Sequence, residues 1–121
     1  MNGPVSHNVI VCGGRDYTDR DMLFRTLEAL HRLRQFRNLM QGGYRGADKL
    51  AREWALTHPE ITRFVCQAQW KLYGKAAGPI RNARMLEWKP DLVVAFPGYA
   101  GTADMVRQAR GAHVEVFEVK P

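Results

Sequence analysis

Short apolar runs alternate along the chain with segments whose apolar residues recur at helical spacing. The runs are rich in β-branched residues and end at glycine, proline or polar positions, as strands do. They predict strands over residues 7–12, 36–41, 62–67, 91–96 and 114–119. The intervening segments predict helices over residues 19–34, 47–56, 79–88 and 102–110, and residues 68–78 are expected to be irregular.

The helical segments show an apolar side and end signals. In the first helix, Leu23, Leu27, Leu30 and Leu33 recur at helical spacing. Thr18 or Asp19 is expected to cap it, because their side-chain oxygens accept hydrogen bonds from free N–H groups.

Two later helix ends are also marked. Pro79 is placed in the first turn of the third helix, and Gly111 is expected to be the C-cap of the fourth. The second helix turns Leu50, Trp54 and three alanines (47, 51 and 55) inward.

This alternation predicts one α/β domain over residues 1–121. The expected architecture is a Rossmann-like, mostly parallel five-stranded sheet of order 3-2-1-4-5, with helices on both faces. Strands one and four are then neighbours at the point where the order reverses. Ligands of such sheets bind beyond the carboxyl ends of the strands at that point.

Composition narrows the class of protein. The 121 residues are 45% hydrophobic and 25% charged, with a net charge of +6, which permits nucleic-acid binding without establishing it. No run is long enough to span a membrane and no signal peptide is recognisable, so a cytoplasmic protein is expected. Cys12 and Cys66 are interpreted as free thiols, and their spacing predicts no metal site.

Three predicted strands end in glycine-rich turns, at residues 13–16, 42–48 and 97–102. The predicted order places these turns side by side. Exposed backbone N–H groups and helix N-termini there would form a site for phosphate. None of the turns is a G-x-G-x-x-G fingerprint or a P-loop, which argues against an ordinary dinucleotide dehydrogenase or a P-loop NTPase.

Candidate site residues follow from these turns. The candidates for ligand and phosphate binding are Gly13, Gly14, Arg15, Gly42, Gly43, Arg81, Asn82, Pro97, Gly98, Gly101 and Thr102. Arginine is favoured because a guanidinium pairs bidentately with phosphate; Arg45 and Lys75 are weaker candidates. The Thr102 hydroxyl either caps a helix or binds phosphate.

Aromatic residues near these turns are candidates for base stacking or a lid. Trp70, Tyr73 and Tyr99 have this role in the binding hypothesis, and Tyr44 could also close over a ligand. Packing in the core is the alternative for Trp70 and Tyr73. The four dispersed histidines are interpreted as structural or surface residues.

Four motifs in order resemble the YspA-like, cpYpsA-related branch of the SLOG superfamily. They are G-G-R-D at 13–16, G-G-Y-R-G-A-D-K-L-A at 42–51, Trp70 with Y-G-K-A-A-G-P-I-R-N-A-R-M-L at 73–86, and F-P-G-Y-A-G-T-A-D-M at 96–105. The resemblance spans most of the chain. It implies a Rossmann-like fold that binds nucleotides or their derivatives, and a distant similarity to the lonely-guy phosphoribohydrolases and to the DNA-processing protein DprA.

The chain departs from the enzymes of that superfamily. The phosphoribohydrolases carry P-G-G-x-G-T-x-x-E with a catalytic glutamate, and the corresponding residue here is Met105. Their arginine four residues before a methionine is retained as Arg81. Asp104, Asp16 and Asp48 are therefore the candidates, with Arg81, for a catalytic role, and helix capping is the alternative for each carboxylate.

Binding or sensing of a nucleotide or an ADP-ribose-like derivative is the favoured function. The alternatives are a phosphoribohydrolase or N-glycosidase acting on nucleoside monophosphates or NAD-type substrates, and DprA-like nucleic-acid binding. Acidic residues in the turns disfavour the last. The protein is expected to form a homodimer. It is not expected to bind a cofactor, a metal ion or a membrane.

Overall fold

The computed structural model describes residues 5–121. Its five strands are β1 (Asn8–Cys12), β2 (Asn38–Gln41), β3 (Thr62–Val65), β4 (Leu92–Ala95) and β5 (Glu115–Glu118). Its helices are α1 (Arg20–Arg34), α2 (Ala47–Leu56), α3 (Trp70–Tyr73), α4 (Ala77–Glu87) and α5 (Ala100–Gly111), with a 3-10 turn at Gly74–Ala76. The sheet is parallel throughout, in the order β3-β2-β1-β4-β5. The predicted fold class and strand order are confirmed.

Apolar side chains of the central strands divide between two core layers. Val9 and Val11 of β1 pack with the inner faces of α1 and α2, including Trp54. Ile10, between them, packs on the opposite face against α4 and α5. Side chains alternate across a strand, so a buried parallel strand must be apolar on both faces. β1 and β4 therefore form the centre of the molecule.

Helix α1 has the predicted cap and the predicted last residue, but one leucine of its predicted apolar side is exposed. Asp19 is the N-cap, and its carboxylate accepts the Met22 N–H at 3.0 Å. Leu23, Leu27 and Leu30 are buried, whereas Leu33 is 55% exposed. Leu33 lies at the edge of the apolar stripe in the last turn of the helix.

The segment predicted to be irregular is partly helical. Residues 70–73 form α3, the 3-10 turn follows, and α4 already begins at Ala77, which makes Pro79 its third residue. A four-residue helix is too short to show an apolar period. None of the residues of α3 is buried.

Helix α5 is longer than predicted at both ends. It begins at Ala100, so Thr102 is its third residue. Gly111 is not the C-cap but the last helical residue. The cap is Ala112, and His113 takes the left-handed conformation with φ 60°. Within the described residues, no helix is both long and apolar enough to cross a membrane.

Candidate functional site

The three glycine-rich turns meet at the carboxyl edge of the sheet. The Gly14 N–H donates to the Pro97 carbonyl at 2.9 Å, and the Ala47 N–H donates to the Gly14 carbonyl at 3.1 Å. One residue of the first turn therefore joins the other two turns through its backbone.

Most of these glycines permit close contact between turns. A Cβ on Gly98 would lie 2.7 Å from the Gly14 nitrogen and would also overlap the Thr102 hydroxyl. A Cβ on Gly13 would lie 2.6 Å from the Ala47 Cβ. Gly101 differs, because a Cβ there would meet nothing within 4 Å. Gly101 is thus the glycine that faces open space.

Beside these turns is a cavity of about 400 Å³. Of the residues singled out in the sequence, those that line it are Gly13, Gly14, Arg15, Asp16, Gly42, Tyr44, Arg45, Asp48, Trp70, Arg81, Asn82, Tyr99, Gly101, Thr102 and Met105. Those that do not are Gly43, Tyr73, Lys75, Pro97, Gly98 and Asp104. The lining also includes Val11, Cys12, Gly78, Met85 and Ala100, none of which was among the predicted site residues. Gly78, Met85 and Ala100 lie within the motifs given above, whereas Val11 and Cys12 belong to the first apolar run.

The first turn of α5 forms one wall of the cavity. Ala100, Gly101 and Thr102 all line it, and no side chain among the described residues caps this helix end. The first N–H groups of a helix have no partner within the helix, and they carry a partial positive charge. This wall therefore suits an anion.

Arg81 forms the facing cationic group. Its Nη1 donates to the carbonyls of Gly42 and Cys66, each at 3.3 Å, and its Nε donates to the Asn82 side-chain oxygen at 3.0 Å. These contacts hold the guanidinium in one orientation. Nη2 has no hydrogen bond to the described residues, so its donors remain available to a ligand.

Asp104 lies behind the cavity wall. One carboxylate oxygen accepts hydrogen bonds from the side-chain amides of Asn82 at 2.9 Å and Gln108 at 2.7 Å. Its other oxygen pairs with Arg107 at 2.8 Å. With its oxygens engaged in this way, Asp104 is placed to orient Asn82, which in turn holds Arg81.

Asp48 is the buried carboxylate of the cavity, at 7% exposure. Its Oδ2 accepts the Tyr44 N–H at 3.2 Å. Burial raises the pKa of Asp48 to about 6, against hydrogen bonds from the Tyr44 and Gly42 backbone and the charge of Arg81, which act to lower it. This carboxyl group can therefore exchange a proton near neutral pH.

Cys12 also lines the cavity, close enough to Asp48 to feel its charge. Burial raises the pKa of its thiol to about 12, and the Asp48 carboxylate adds to this effect. The thiol is therefore protonated at neutral pH and is not a nucleophile.

The mouth of the cavity is polar and aromatic. The Arg15 guanidinium lies 4.7 Å from the Tyr44 ring centroid and 5.8 Å from that of Trp70, and the two rings meet edge to face at 6.2 Å. Asp16 pairs with Arg45 at 3.2 Å, with both side chains about 70% exposed. An ion pair this exposed contributes little stability.

Two of the histidines are not dispersed. The rings of His31 and His58 lie 5.3 Å apart, and with Glu60 they form the one group among the described residues that offers three metal-ligand atoms. His31 Nδ1 accepts the Phe36 N–H at 3.0 Å, so its Nε2 carries the hydrogen that bonds Glu60 at 2.8 Å. A metal ion on Nε2 would move that hydrogen to Nδ1. Nδ1 would then be a donor facing the Phe36 N–H, and their hydrogen bond would be lost. The geometry favours a hydrogen-bonded cluster.

Comparison with known proteins agrees with the motifs. The model of the YspA, cpYpsA-related SLOG family matches residues 7–73, more than half of the chain. The Gene 61 protein of Mycobacterium phage D29 is 33% identical over 116 residues, which cover 90% of this chain and 93% of that protein. No solved structure gives a significant match. The chain belongs to the YspA, cpYpsA-related SLOG family.

Proposed function

We propose that this protein binds a nucleotide or a nucleotide derivative, either a nucleoside phosphate or an ADP-ribose-like molecule. The observation that carries the proposal is the cavity onto which the first turn of α5 and the Arg81 guanidinium converge. The volume of about 400 Å³ is within the range typical of small-molecule sites. Membership of the SLOG family is consistent with a nucleotide-related ligand.

The phosphate is assigned to the first turn of α5. The N–H groups there have no side-chain cap, and the open space beside Gly101 leaves room for an oxygen to approach the backbone. Arg81 supplies the counter-charge, and the Thr102 hydroxyl is an additional donor. A charge-assisted hydrogen bond to phosphate is stronger than a neutral one.

The base or ribose is assigned to the aromatic side of the mouth. Tyr44 and Trp70 form adjoining rings there, and Arg15 already stacks on them. A planar base can take the position of the guanidinium or stack on its outer face. Tyr99, at 78% exposure, is free to close from the opposite side.

Binding is favoured over hydrolysis by the apolar residue at the glutamate position. Met105 lines the cavity at 1% exposure and cannot transfer a proton. Asp104 is engaged with Asn82 and Gln108. Of the three candidate carboxylates, only Asp48 is both buried and in the lining.

Location and assembly belong to the same proposal. A cytoplasmic location is supported by two free cysteines in the described residues. A homodimer is supported by large exposed apolar side chains, including Phe64 and Val65 of the edge strand β3.

The proposal is tested by thermal unfolding with AMP, ADP, ATP, NAD and ADP-ribose, followed by titration calorimetry with the ligand that stabilises most. A ligand at 100 times its Kd stabilises the fold by about 2.7 kcal/mol, which raises Tm by several degrees. Gly101→Val is expected to abolish the shift, because the new side chain fills the space beside the phosphate.

Gly111→Val is the matched control. Gly111 is at the other end of α5, and a Cβ there also meets nothing within 4 Å. The Gly111→Val variant should keep the ligand-induced rise in Tm. Absence of any shift in the unmodified protein, or an undiminished shift in a folded Gly101→Val variant, would contradict the proposal.

A further inference from the structure

The proposed function leaves the buried carboxylate of the cavity, Asp48, without a role. Asp48 lies in the first turn of α2, and Arg81 reaches the same place from α4. A Cβ on Gly42 would lie 2.8 Å from the Asp48 Oδ2 and would overlap the Arg81 guanidinium. The carboxylate and the guanidinium therefore flank a single backbone position, and both line the cavity.

The surroundings of Asp48 contain one close cation. Arg81 is the charged group that acts on its carboxylate, from α4. The neighbouring thiol on β1 is protonated, as described above. The other charged or titratable groups of the lining are Arg15 and Asp16 from the turn after β1, Tyr44 and Arg45 from the turn after β2, and Tyr99 from the turn after β4.

An anionic ligand would change the electrostatic surroundings of the Asp48 carboxylate. A phosphate that binds the free nitrogen of Arg81 brings negative charge beside the Asp48 carboxylate. Two anions then share one guanidinium at a position where the Asp48 carboxylate is already buried. Such neighbours do not both stay ionised without cost. The arrangement of lower free energy has a proton on the Asp48 carboxyl group, shared in a hydrogen bond with the phosphate.

We propose that Asp48 takes up a proton when the anionic group of the ligand binds beside Arg81, so that the carboxyl group donates a hydrogen bond to the ligand and affinity rises as the pH falls. This inference rests on the proposed function. It makes Asp48 the residue that links occupancy of the site to pH.

The free carboxyl group is already prepared for this change. Its pKa of about 6 means that it is mostly ionised at neutral pH, but lies only about one pH unit from half-protonation. Above that pKa, each pH unit is expected to weaken ligand binding by up to about tenfold, because one proton must be taken up for each ligand bound. Below it, Asp48 is already protonated and the affinity levels off.

The test is titration calorimetry with ADP-ribose, whose diphosphate is esterified at both ends and does not titrate near neutral pH. Measurements at about pH 7 in two buffers of different ionisation enthalpy give the number of protons taken up. We expect uptake approaching one proton per ligand, and an affinity at least about tenfold weaker at about pH 8 than at about pH 6. Asp48→Asn should abolish both effects while ADP-ribose still binds.

The control is Asp21→Asn, which removes an exposed carboxylate of α1 outside the cavity lining. It should retain the uptake and the pH dependence. Binding without proton uptake, or uptake of equal size in Asp48→Asn, would overturn the inference and leave the proposed function standing. If no nucleotide of the panel binds at either pH, the proposed function fails and this inference fails with it.

Discussion

Two glycines three residues apart in the last glycine-rich turn have opposite surroundings. Gly98 is enclosed by the Gly14 backbone and the Thr102 hydroxyl, whereas Gly101 is bordered by open space. Absence of a side chain therefore has two different consequences. At Gly98 it lets two turns pack together, and at Gly101 it leaves the first turn of a helix accessible.

This contrast predicts unequal effects of the same substitution. Gly98→Ala should lower the free energy of unfolding by about 1–3 kcal/mol, because the new methyl group would force the first and last turns apart. Gly101→Ala should be neutral or slightly stabilising, since alanine is the better helix former. Urea unfolding of both variants measures the difference. Equal stabilities would show that the two turns are not held in contact.

Individual residues of the site differed in how far the sequence could predict them. Arg81 and Thr102 were identified from their position in motifs and are in the cavity lining. The location of Asp104 was not predictable, because it depends on hydrogen bonds to Asn82 on another helix and to Gln108. Such partners are set by how helices pack, and no sequence spacing reports that.

Helix α1 shows how one side chain fixes the start of an element. Both Thr18 and Asp19 were candidates for its cap, and the structure assigns Asp19, whose carboxylate accepts the Met22 N–H. Asp19→Ala should lower the free energy of unfolding by about 1 kcal/mol. Thr18→Ala should change it by clearly less. Chemical denaturation of the two variants checks this, and a reversed order would contradict the assignment.

The central strands were predictable because they are buried on both faces of the sheet. β1 and β4 are covered on both faces, so they read as continuous apolar runs. Helix α3 was missed, because four residues with no buried side chain leave no period to detect. The start of α5 was predicted two residues late, since Gly101-Thr102 resembles the end of a turn.

At the scale of the molecule, topology determines which distant residues meet. The order β3-β2-β1-β4-β5 places the turns after β1, β2 and β4 at one edge, and this much was predictable. That Asp48 of α2 and Arg81 of α4 would flank the same backbone position was not. Their proximity depends on Gly42, whose missing side chain leaves the space that both groups occupy.

The burial of Asp48 has a consequence for the stability of the whole chain. Asp48 has a pKa of about 6 in the folded protein, against the ordinary 3.8 of an unfolded chain. Between these values the folded state holds more protons, so the contribution of Asp48 to stability falls as pH rises from about 4 to about 6 and is level above that. The loss is on the order of 1–3 kcal/mol. Burial of an ionised carboxylate is its cause.

Asp48→Asn removes the charge and keeps an oxygen that can accept the Tyr44 N–H. The variant should therefore be more stable than the unmodified protein at about pH 7.5, and the difference should vanish towards pH 4. Glu115, whose pKa is lowered by its hydrogen bond to Arg34, gives stability that is lost at low pH instead. That contribution is common to both proteins and cancels in the difference. Thermal unfolding between about pH 4 and about pH 7.5 measures the difference in stability between Asp48→Asn and the unmodified protein. If the variant is less stable at about pH 7.5, the ionised carboxylate stabilises the fold, because the favourable interactions with its partners outweigh the cost of its burial.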